Sequence, residues 1–105
     1  MPGQRDAASG DRRSDGLSGE GVGERLRITR EALGLAQSEF AERCGLARNT
    51  YNQYEQGKNI PRIENGIAIC EAFGLSLDWI YRGDPSSLPY KTADAIKAIR
   101  VRRAS

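Results

Sequence analysis

The chain has 105 residues, of which 38% are hydrophobic and 29% charged, a composition typical of one small globular domain. It has neither an apolar run long enough to span a bilayer nor the apolar stretch of a secretory signal, so we expect a cytoplasmic protein without membrane association. It contains no histidine, which removes the commonest general base and Cys-His metal sites, and we expect no enzyme, metal or cofactor. The net charge of +2 is too small to indicate a nucleic-acid partner by itself.

Both ends of the chain differ in composition from its centre. Residues 1–21 are rich in Gly, Ser, Asp and Arg and predict a disordered arm, because they cannot bury enough apolar surface to offset the entropy of ordering. Residues 85–105 carry most of the basic excess, with five Lys and Arg against one acidic residue. We therefore place a folded domain at 22–84, followed by a linker and a basic tail at 85–105.

Apolar spacing predicts the first two helices of this domain. The first runs over 22–33 and ends before Gly34, and the second spans Gln37 to Cys44 and ends at Gly45. The residues that we expect to face inward are Val22, Leu26, Thr29 and Leu33 in the first helix and Phe40, Ala41 and Cys44 in the second, with Arg25, Arg27 and Glu31 facing outward. Cys44 and Cys70 are interpreted as small buried hydrophobes.

Three further helices follow in the predicted domain. The third spans 48–56, the fourth begins near Pro61 and ends at Gly74, and Ser76 caps a short fifth. Their expected inward residues are Ala47, Tyr51 and Tyr54, then Ile63, Ile67, Cys70 and Phe73, then Leu77, Trp79 and Ile80.

The tail after the Pro- and Ser-rich linker predicts one more helix, capped by Thr92 and running to about Arg102. Three interpretations of it stay open. It is a dimerisation helix that uses Ile96 and Ile99, a basic arm that contacts phosphate, or a frayed solvated end.

The outer surface of the predicted helix 48–56 carries side chains that can read bases in the major groove. Arg48 can donate two hydrogen bonds to guanine, and Asn49, Asn52 and Gln53 can each pair with adenine. A solvated helix face would be filled more often by Lys and Glu, which have better helix propensity than Asn. The pattern therefore favours a recognition helix over an ordinary polar surface.

The stretch LRITREALGLAQSEFAERCGLARNTYNQYEQGKNIPRIENGIAICEAFGLSLDWIYRG resembles the lambda-repressor-like family, also called the phage repressor/Cro or XRE type. The resemblance covers about residues 22–83 and rests on positions distributed along it. These are Gly34-Leu35, Gln37, Phe40-Ala41, Gly45, Glu55, Gly57, Pro61, Ala72 to Gly74 and Leu77 to Trp79. It implies an all-α, five-helix DNA-binding domain.

The resemblance also implies roles for individual residues. Gln37 is expected to contact a phosphate and brace the recognition helix, whereas Arg48, Asn49 and Gln53 face bases. The loop and first turn after the recognition helix are expected to grip phosphate through Lys58, Asn59 and Arg62, which agrees with the affinity of helix N-termini for anions. Arg30 and Glu55 are expected to form an internal brace.

Three residues depart from the family pattern. Ala36 and Ala47 replace the Ser or Thr that usually caps the second and third helices, each at a cost of about 1 kcal/mol. Tyr51 replaces a branched aliphatic, so its hydroxyl needs a partner.

We expect a sequence-specific transcriptional regulator, with a repressor favoured, that binds a pseudo-palindromic operator as a homodimer. The alternative is a protein-interaction module, such as an antitoxin-like partner or a helix-turn-helix fold without DNA binding. The nearly neutral charge of residues 22–84 supports this alternative.

Overall fold

The computed structural model describes residues 17–104, and this part of the chain is helical without strands. The helices are α1 (Gly19–Ala32), α2 (Gln37–Cys44), α3 (Arg48–Glu55), α4 (Ile63–Phe73) and α5 (Tyr90–Ala104), with a π-helical segment, Asp78–Arg82, between α4 and α5. Helix α1 packs against α3, α5 and the π-helical segment, and α2 packs against α3 and α4. The all-α fold expected from the sequence is thus confirmed. None of the helices in the described residues is long and apolar enough to cross a membrane.

Helix α1 begins earlier than the apolar spacing predicts. The hydroxyl of Ser18 accepts a hydrogen bond from the backbone N–H of Gly21 at 2.9 Å and caps the helix. The expected start at Val22 was therefore wrong by three residues, and residues 18–21 belong to the helical domain instead of the arm. The rest of the predicted arm, residues 1–16, lies outside the described residues.

The core joins all the helical elements around a few large side chains. Phe40 stacks on Phe73 with ring centroids 4.3 Å apart, and the ring centroid of Tyr51 lies 4.8 Å from that of Phe40. Trp79 is fully buried and donates its indole N–H to the hydroxyl of Thr29 at 2.9 Å. The buried set also includes Val22, Leu26, Ile28, Ala41, Cys44, Tyr54, Ile69, Leu75, Ile80, Leu88 and Ile96.

Several residues face the opposite way from the expected pattern. Ile63 and Ile67 are 54% and 41% exposed, because Gly66 and Ile69 form the inner face of α4. Ala47 and Leu77 are exposed as well. These four residues were wrongly assigned to the core.

Arg25 lies inside the fold, although the helical spacing predicted an outward position for it. Its Nε and Nη2 atoms donate to the carbonyl oxygen of Ile80 at 3.1 and 3.0 Å, which fixes the π-helical segment against α1. Burial, with a smaller contribution from the positive charge of Arg100, lowers the pKa of Arg25.

The predicted fifth α-helix is a π-helical segment instead. Ser76 does act near its start, since its hydroxyl accepts a hydrogen bond from the N–H of Trp79 at 3.0 Å. At the other end, the N–H of Asp84 reaches back to the carbonyl of Asp78 at 3.1 Å, and Gly83 takes a φ of 80°. The wider turn brings both Trp79 and Ile80 into the core.

The tail is a docked helix, which rules out a frayed end. It begins at Tyr90, two residues before the expected cap Thr92, and the N–H of Ala93 bonds the carbonyl of Pro89. Ile96 is buried against the rest of its own chain, so the proposed dimerisation through Ile96 and Ile99 is contradicted. Arg103 binds both Glu24 at 2.7 Å and Glu31 at 2.5 Å on α1.

Both cysteines are free thiols, and the expected burial holds fully for Cys44 and partly for Cys70. Burial, followed by the neighbouring Cys70, raises the pKa of Cys44 to about 11.

Candidate nucleic-acid interface

The connection between α2 and α3 is a tight turn of residues 45–47. Gly45 ends α2 with a φ of 74°, a left-handed conformation that glycine adopts without the steric cost that other residues carry. The N–H of Leu46 then bonds the carbonyl of Ala41 at 2.9 Å, which closes the C-terminus of α2. The turn places two short helices in the arrangement that inserts the second one into a DNA groove.

Ala36 and Ala47 both lack a capping hydroxyl, and only Ala36 has a hydrogen bond that replaces it. At Ala36 the backbone N–H donates to the carboxylate of Glu39 at 3.1 Å, so half of a capping box replaces the missing hydroxyl. At Ala47 the side chain caps nothing.

Helix α3 has one buried side and one open side. Tyr51 and Tyr54 face the core. Arg48, Asn49 and Gln53 are exposed on the outer side, where a groove of DNA can reach them, and Asn52 is half-buried between the two sides.

A buried carboxylate fixes α3 to the two helices before it. The side chain of Glu55 is only 4% exposed and pairs with Arg30 of α1, with Nε–Oε2 at 2.6 Å and Nη2–Oε1 at 3.1 Å. Tyr51 donates its hydroxyl to the same carboxylate at 2.5 Å, and Gln37 of α2 donates its amide at 3.0 Å. The remaining Arg30 donor bonds the carbonyl of Leu35 at 2.9 Å. Three helices therefore share one satisfied polar cluster.

The cluster stabilises the charged form of Glu55. Burial alone raises the pKa of this carboxyl, but the hydrogen bonds from Arg30, Tyr51 and Gln37 outweigh burial, and its net pKa is lowered. The hydrogen bond to Glu55 in turn raises the pKa of Arg30. Burial and the bond to Glu55 raise the pKa of Tyr51, so its phenol stays protonated.

Gln37 and Asn52 belong to the edge of this cluster. The amide nitrogen of Gln37 also donates to Oδ1 of Asn52 at 3.1 Å, so one amide links α2 to two residues of α3. The oxygen of Asn52 is thereby used inside the protein, and only its amino group remains to face a ligand. Asn52 thus differs from Arg48, Asn49 and Gln53, which are exposed.

The loop after α3 carries the other expected DNA contacts. Lys58, Asn59 and Arg62 are all exposed. Asn59 donates its amide to Oε1 of Gln53 at 2.6 Å, while the N–H of Lys58 bonds the carbonyl of Gln53 at 3.0 Å. The loop therefore extends the exposed surface of α3, and Gln53 keeps its amide donors for a partner.

Sequence reasoning missed the residue that fixes the far end of this loop. Tyr81 donates its hydroxyl to the carbonyl of Pro61 at 2.7 Å, just before α4 begins. Its ring lies against Gly66, where a Cβ would collide with the Tyr81 hydroxyl. The isolated glycine within the helical pattern of α4 was the available signal of such a close contact.

A pair of glycines in α1 sets the position of α3 on that helix. A Cβ on Gly23 would lie 2.7 Å from the carbonyl oxygen of Glu55 and closer still to that of Tyr54, and a Cβ on Gly19 would collide with the carbonyl of Gly57. The backbone of α1 therefore lies directly against the C-terminal end of α3.

Comparison with known proteins agrees with this geometry. A family model described as Helix-turn-helix matches residues 26–80, from the middle of α1 to the π-helical segment. The transcriptional repressor RstR of the cryptic phage CTXphi, from Vibrio cholerae, is 33% identical over 57 residues, which cover 54% of this chain and 51% of that protein.

Two other relatives also match part of the chain. The repressor protein C2 of Salmonella phage P22 is 31% identical over 62% of this chain and 30% of its own length. An SPbeta prophage-derived uncharacterized HTH-type transcriptional regulator, YonR of Bacillus subtilis, is 33% identical over 58% of this chain and 56% of its own. The matched region spans about half the length of RstR and YonR and less of C2. No solved structure matches the chain.

Proposed function

The chain belongs to the Helix-turn-helix family, and from this premise we propose that it binds double-stranded DNA sequence-specifically and regulates transcription as a repressor. The observation that carries the proposal is the two-sided α3, which exposes Arg48, Asn49 and Gln53 while the Glu55 cluster holds its other side. The repressor role is supported by the names of RstR and C2. A binding role also suits a domain family of this kind better than a catalytic one.

Within this proposal the exposed side chains have separate tasks. Arg48, Asn49 and Gln53 read base edges, with Asn52 adding its amino group. Gln37 braces α3 with both hydrogens of its side-chain amide, so its expected phosphate contact requires it to give up the hydrogen bond to Asn52. The loop residues Lys58, Asn59 and Arg62 fix the register of the domain on the backbone.

The experiment is selection of random duplex DNA by the purified protein near physiological salt. The wild-type protein should enrich a pseudo-palindrome with half-sites about 10 base pairs apart. Arg48→Ala and Gln53→Ala should each relax one position per half-site, at a cost of about 1–3 kcal/mol. Arg82→Ala, which removes an exposed arginine outside α3 and its loop, is the matched control and should keep the full motif. Selection without enrichment contradicts the proposal.

We also propose that the protein binds its site as a homodimer through α4. Ile60, Ile63 and Ile67 are 39%, 54% and 41% exposed, and the last two lie one turn apart on the same helix. A second copy related by a two-fold axis would cover these side chains and match a two-fold operator.

Sedimentation equilibrium tests the dimer. The wild-type protein should be dimeric, and the Ile63→Gln, Ile67→Gln double variant should be monomeric with an unchanged helical CD spectrum. Val101→Gln, on the exposed side of α5, should leave the dimer intact. A wild-type protein that stays monomeric on its enriched DNA site counts against the two-fold arrangement.

A protein-interaction module is the second candidate, and the exposed isoleucines of α4 favour it, since monomeric proteins keep large apolar patches covered. It predicts DNA binding that is weak and insensitive to both salt and Arg48→Ala. The selection experiment with the Arg48→Ala variant separates the two functions.

A further inference from the structure

A pocket of about 260 Å³ lies where the π-helical segment, the linker and α5 meet. Six residues line it: Trp79, Pro85, Ala93, Ile96, Lys97 and Arg100. It is smaller than the pockets that take drug-sized ligands, which begin at about 300 Å³. An occupant would have the size of a single ring or a short branched chain.

The walls of the pocket are mainly apolar. The Trp79 ring and Ile96 form the inner wall but are only 0% and 3% exposed, and the indole N–H already donates to Thr29 at 2.9 Å. Pro85 and Ala93 supply the apolar surface that an occupant can reach. The buried part of an occupant must therefore be hydrocarbon.

The two polar residues at the pocket are both cations. The guanidinium of Arg100 lies 5.1 Å from the centre of the Trp79 ring, and Lys97 lies one turn before it on α5. Within residues 17–104 neither of them forms an ion pair. Arg100 is also close enough to Arg25 to contribute to lowering the pKa of that buried guanidinium, behind the larger effect of burial. This edge of the pocket is thus positively charged and favours an anion.

We propose that the pocket binds a small monocarboxylate, with its hydrocarbon part against Pro85 and Ala93, beside the buried Trp79 ring, and its carboxylate on Arg100 and Lys97. Arginine can hold a carboxylate through two parallel hydrogen bonds. The walls come from α5 and from the elements on which α5 docks, so the bound acid stabilises the docked helix by mass action. This site lies apart from the outer side of α3, and its occupation does not depend on the proposed DNA binding.

Trp79 is the only tryptophan, so its fluorescence reports directly on the pocket. The probes are cyclohexanecarboxylate, cyclohexanemethanol and cyclohexanemethylamine, which share a ring and differ in head group. The carboxylate should change the fluorescence saturably with a Kd near 1 mM or below, and raise Tm, while the alcohol and the amine bind at least about tenfold more weakly.

Three variants localise the effect. Arg100→Gln should weaken the carboxylate about tenfold and leave the alcohol unchanged, because only the charged contact is lost. Ala93→Leu should fill the pocket and abolish the response to all three probes, with the helical CD signal retained. Arg102→Gln, an exposed arginine two residues from Arg100, is the matched control and should bind the carboxylate like the wild type.

Two results overturn the proposal. Equal affinity for the alcohol and the carboxylate would make the site a plain apolar gap. No saturable change of Trp79 fluorescence up to about 20 mM carboxylate would show that the pocket takes no such ligand.

Discussion

At the level of single residues, Glu55 links the stability of the fold to the position of the proposed reading helix. Its carboxylate accepts hydrogen bonds from Arg30, Gln37 and Tyr51, which belong to three different helices. A buried charge is tolerated only when such partners surround it. The tyrosine that departs from the family pattern is therefore a member of the cluster, because its hydroxyl donates a hydrogen bond to the carboxylate of Glu55.

We expect Arg30→Ala to lower the free energy of unfolding by about 3–5 kcal/mol, because it leaves the carboxylate of Glu55 buried without its main counter-charge. Urea unfolding followed by CD measures the loss. The matched control is Arg27→Ala, which removes an arginine of the same helix from an exposed pair with Glu24, at a cost below about 1 kcal/mol. Equal losses in the two variants would show that the Glu55 cluster contributes no more than a surface ion pair.

The lowered pKa of Glu55 also predicts how stability depends on pH. The native state holds the ionised carboxylate more strongly than the unfolded chain does, whose glutamate pKa is about 4.3. Its contribution is therefore complete above that value and is lost as pH falls through the native pKa. Unfolding curves from pH 7 to pH 3 should fall more steeply for the wild type than for Glu55→Gln.

Asp84 is a second carboxyl with a lowered pKa, because the backbone and hydroxyl of Ser86 both donate to it. It is fully exposed, so solvent screens its interactions, and Asp84→Asn should reduce the pH dependence less than Glu55→Gln does. Parallel curves for the wild type and Glu55→Gln would argue against the ionised cluster.

At the level of elements, α1 and α3 meet backbone to backbone at Gly19 and Gly23. We expect Gly23→Ala to displace the C-terminal end of α3, because the added methyl cannot coexist with the carbonyls of Tyr54 and Glu55. The loss of stability should exceed the gain of about 1 kcal/mol that alanine normally brings to a helix. DNA selection with the variant should blur the base positions read near Gln53 more than those read by Arg48.

The control for that prediction is Arg27→Ala on the exposed side of α1, which should preserve the selected motif. A Gly23→Ala protein with wild-type stability and an unchanged motif would mean that α1 does not position α3.

The sequence was sufficient to predict the bounds of α2 and the start of α3, because apolar spacing and a glycine after the last turn mark those helices locally. The expected span of α2, from Gln37 to Cys44, is confirmed, and α3 ends within one residue of the expected position. Local sequence patterns failed to predict burial where tertiary contacts determine it. Arg25 is buried because the carbonyl of Ile80 binds it, and no local rule reveals that partner.

The exposure of residues in the candidate site could be predicted from the sequence, whereas the contacts between its helices could not. The exposure of Arg48, Asn49 and Gln53 follows from helical spacing, since Tyr51 and Tyr54 occupy the opposite side. The hydrogen bond from Gln37 to the side-chain oxygen of Asn52 does not follow from helical spacing, because it depends on the angle between α2 and α3. Ile63 and Ile67 were assigned to the core because their spacing matches that of a buried stripe, although the true inner face includes Gly66.

At the level of the whole molecule, α1 lies between the proposed reading helix and the tail. Its inner face touches α3 through the glycines, and its acidic residues Glu24 and Glu31 bind Arg103 of α5. The tail is therefore part of the folded unit, and its buried side chains should contribute to the stability of the whole.

We expect Ile96→Ala to cost about 2–5 kcal/mol, since the residue is 3% exposed and its loss leaves a cavity beside Trp79. Urea unfolding followed by Trp79 fluorescence provides the measurement. Val101→Ala, on a residue of the same helix that is 60% exposed, should change stability by no more than about 0.5 kcal/mol. Similar values for the two variants would mean that α5 is not docked in solution.

The positive charges of the loop after α3 should make the affinity for DNA depend on salt concentration. If Lys58 and Arg62 each neutralise one phosphate, the slope of log affinity against log salt should fall in magnitude by about 0.9 for each alanine substitution. Both substitutions should weaken all sequences alike, because phosphate contacts carry no base information. Fluorescence anisotropy on one selected duplex at several salt concentrations measures the slope.

The same measurement tests whether the tail acts as a basic arm. Arg103 is bound to α1 and Arg100 packs over Trp79, whereas Lys91, Lys97 and Arg102 are exposed and can be changed without removing either contact. Changing these three to Gln keeps α5 docked through Ile96 and isolates the charge. A slope that falls by about 0.9 per residue would make the tail a second phosphate-binding element. An unchanged slope would show that these α5 residues make no phosphate contact, with phosphate binding confined to α2, α3 and the loop before α4.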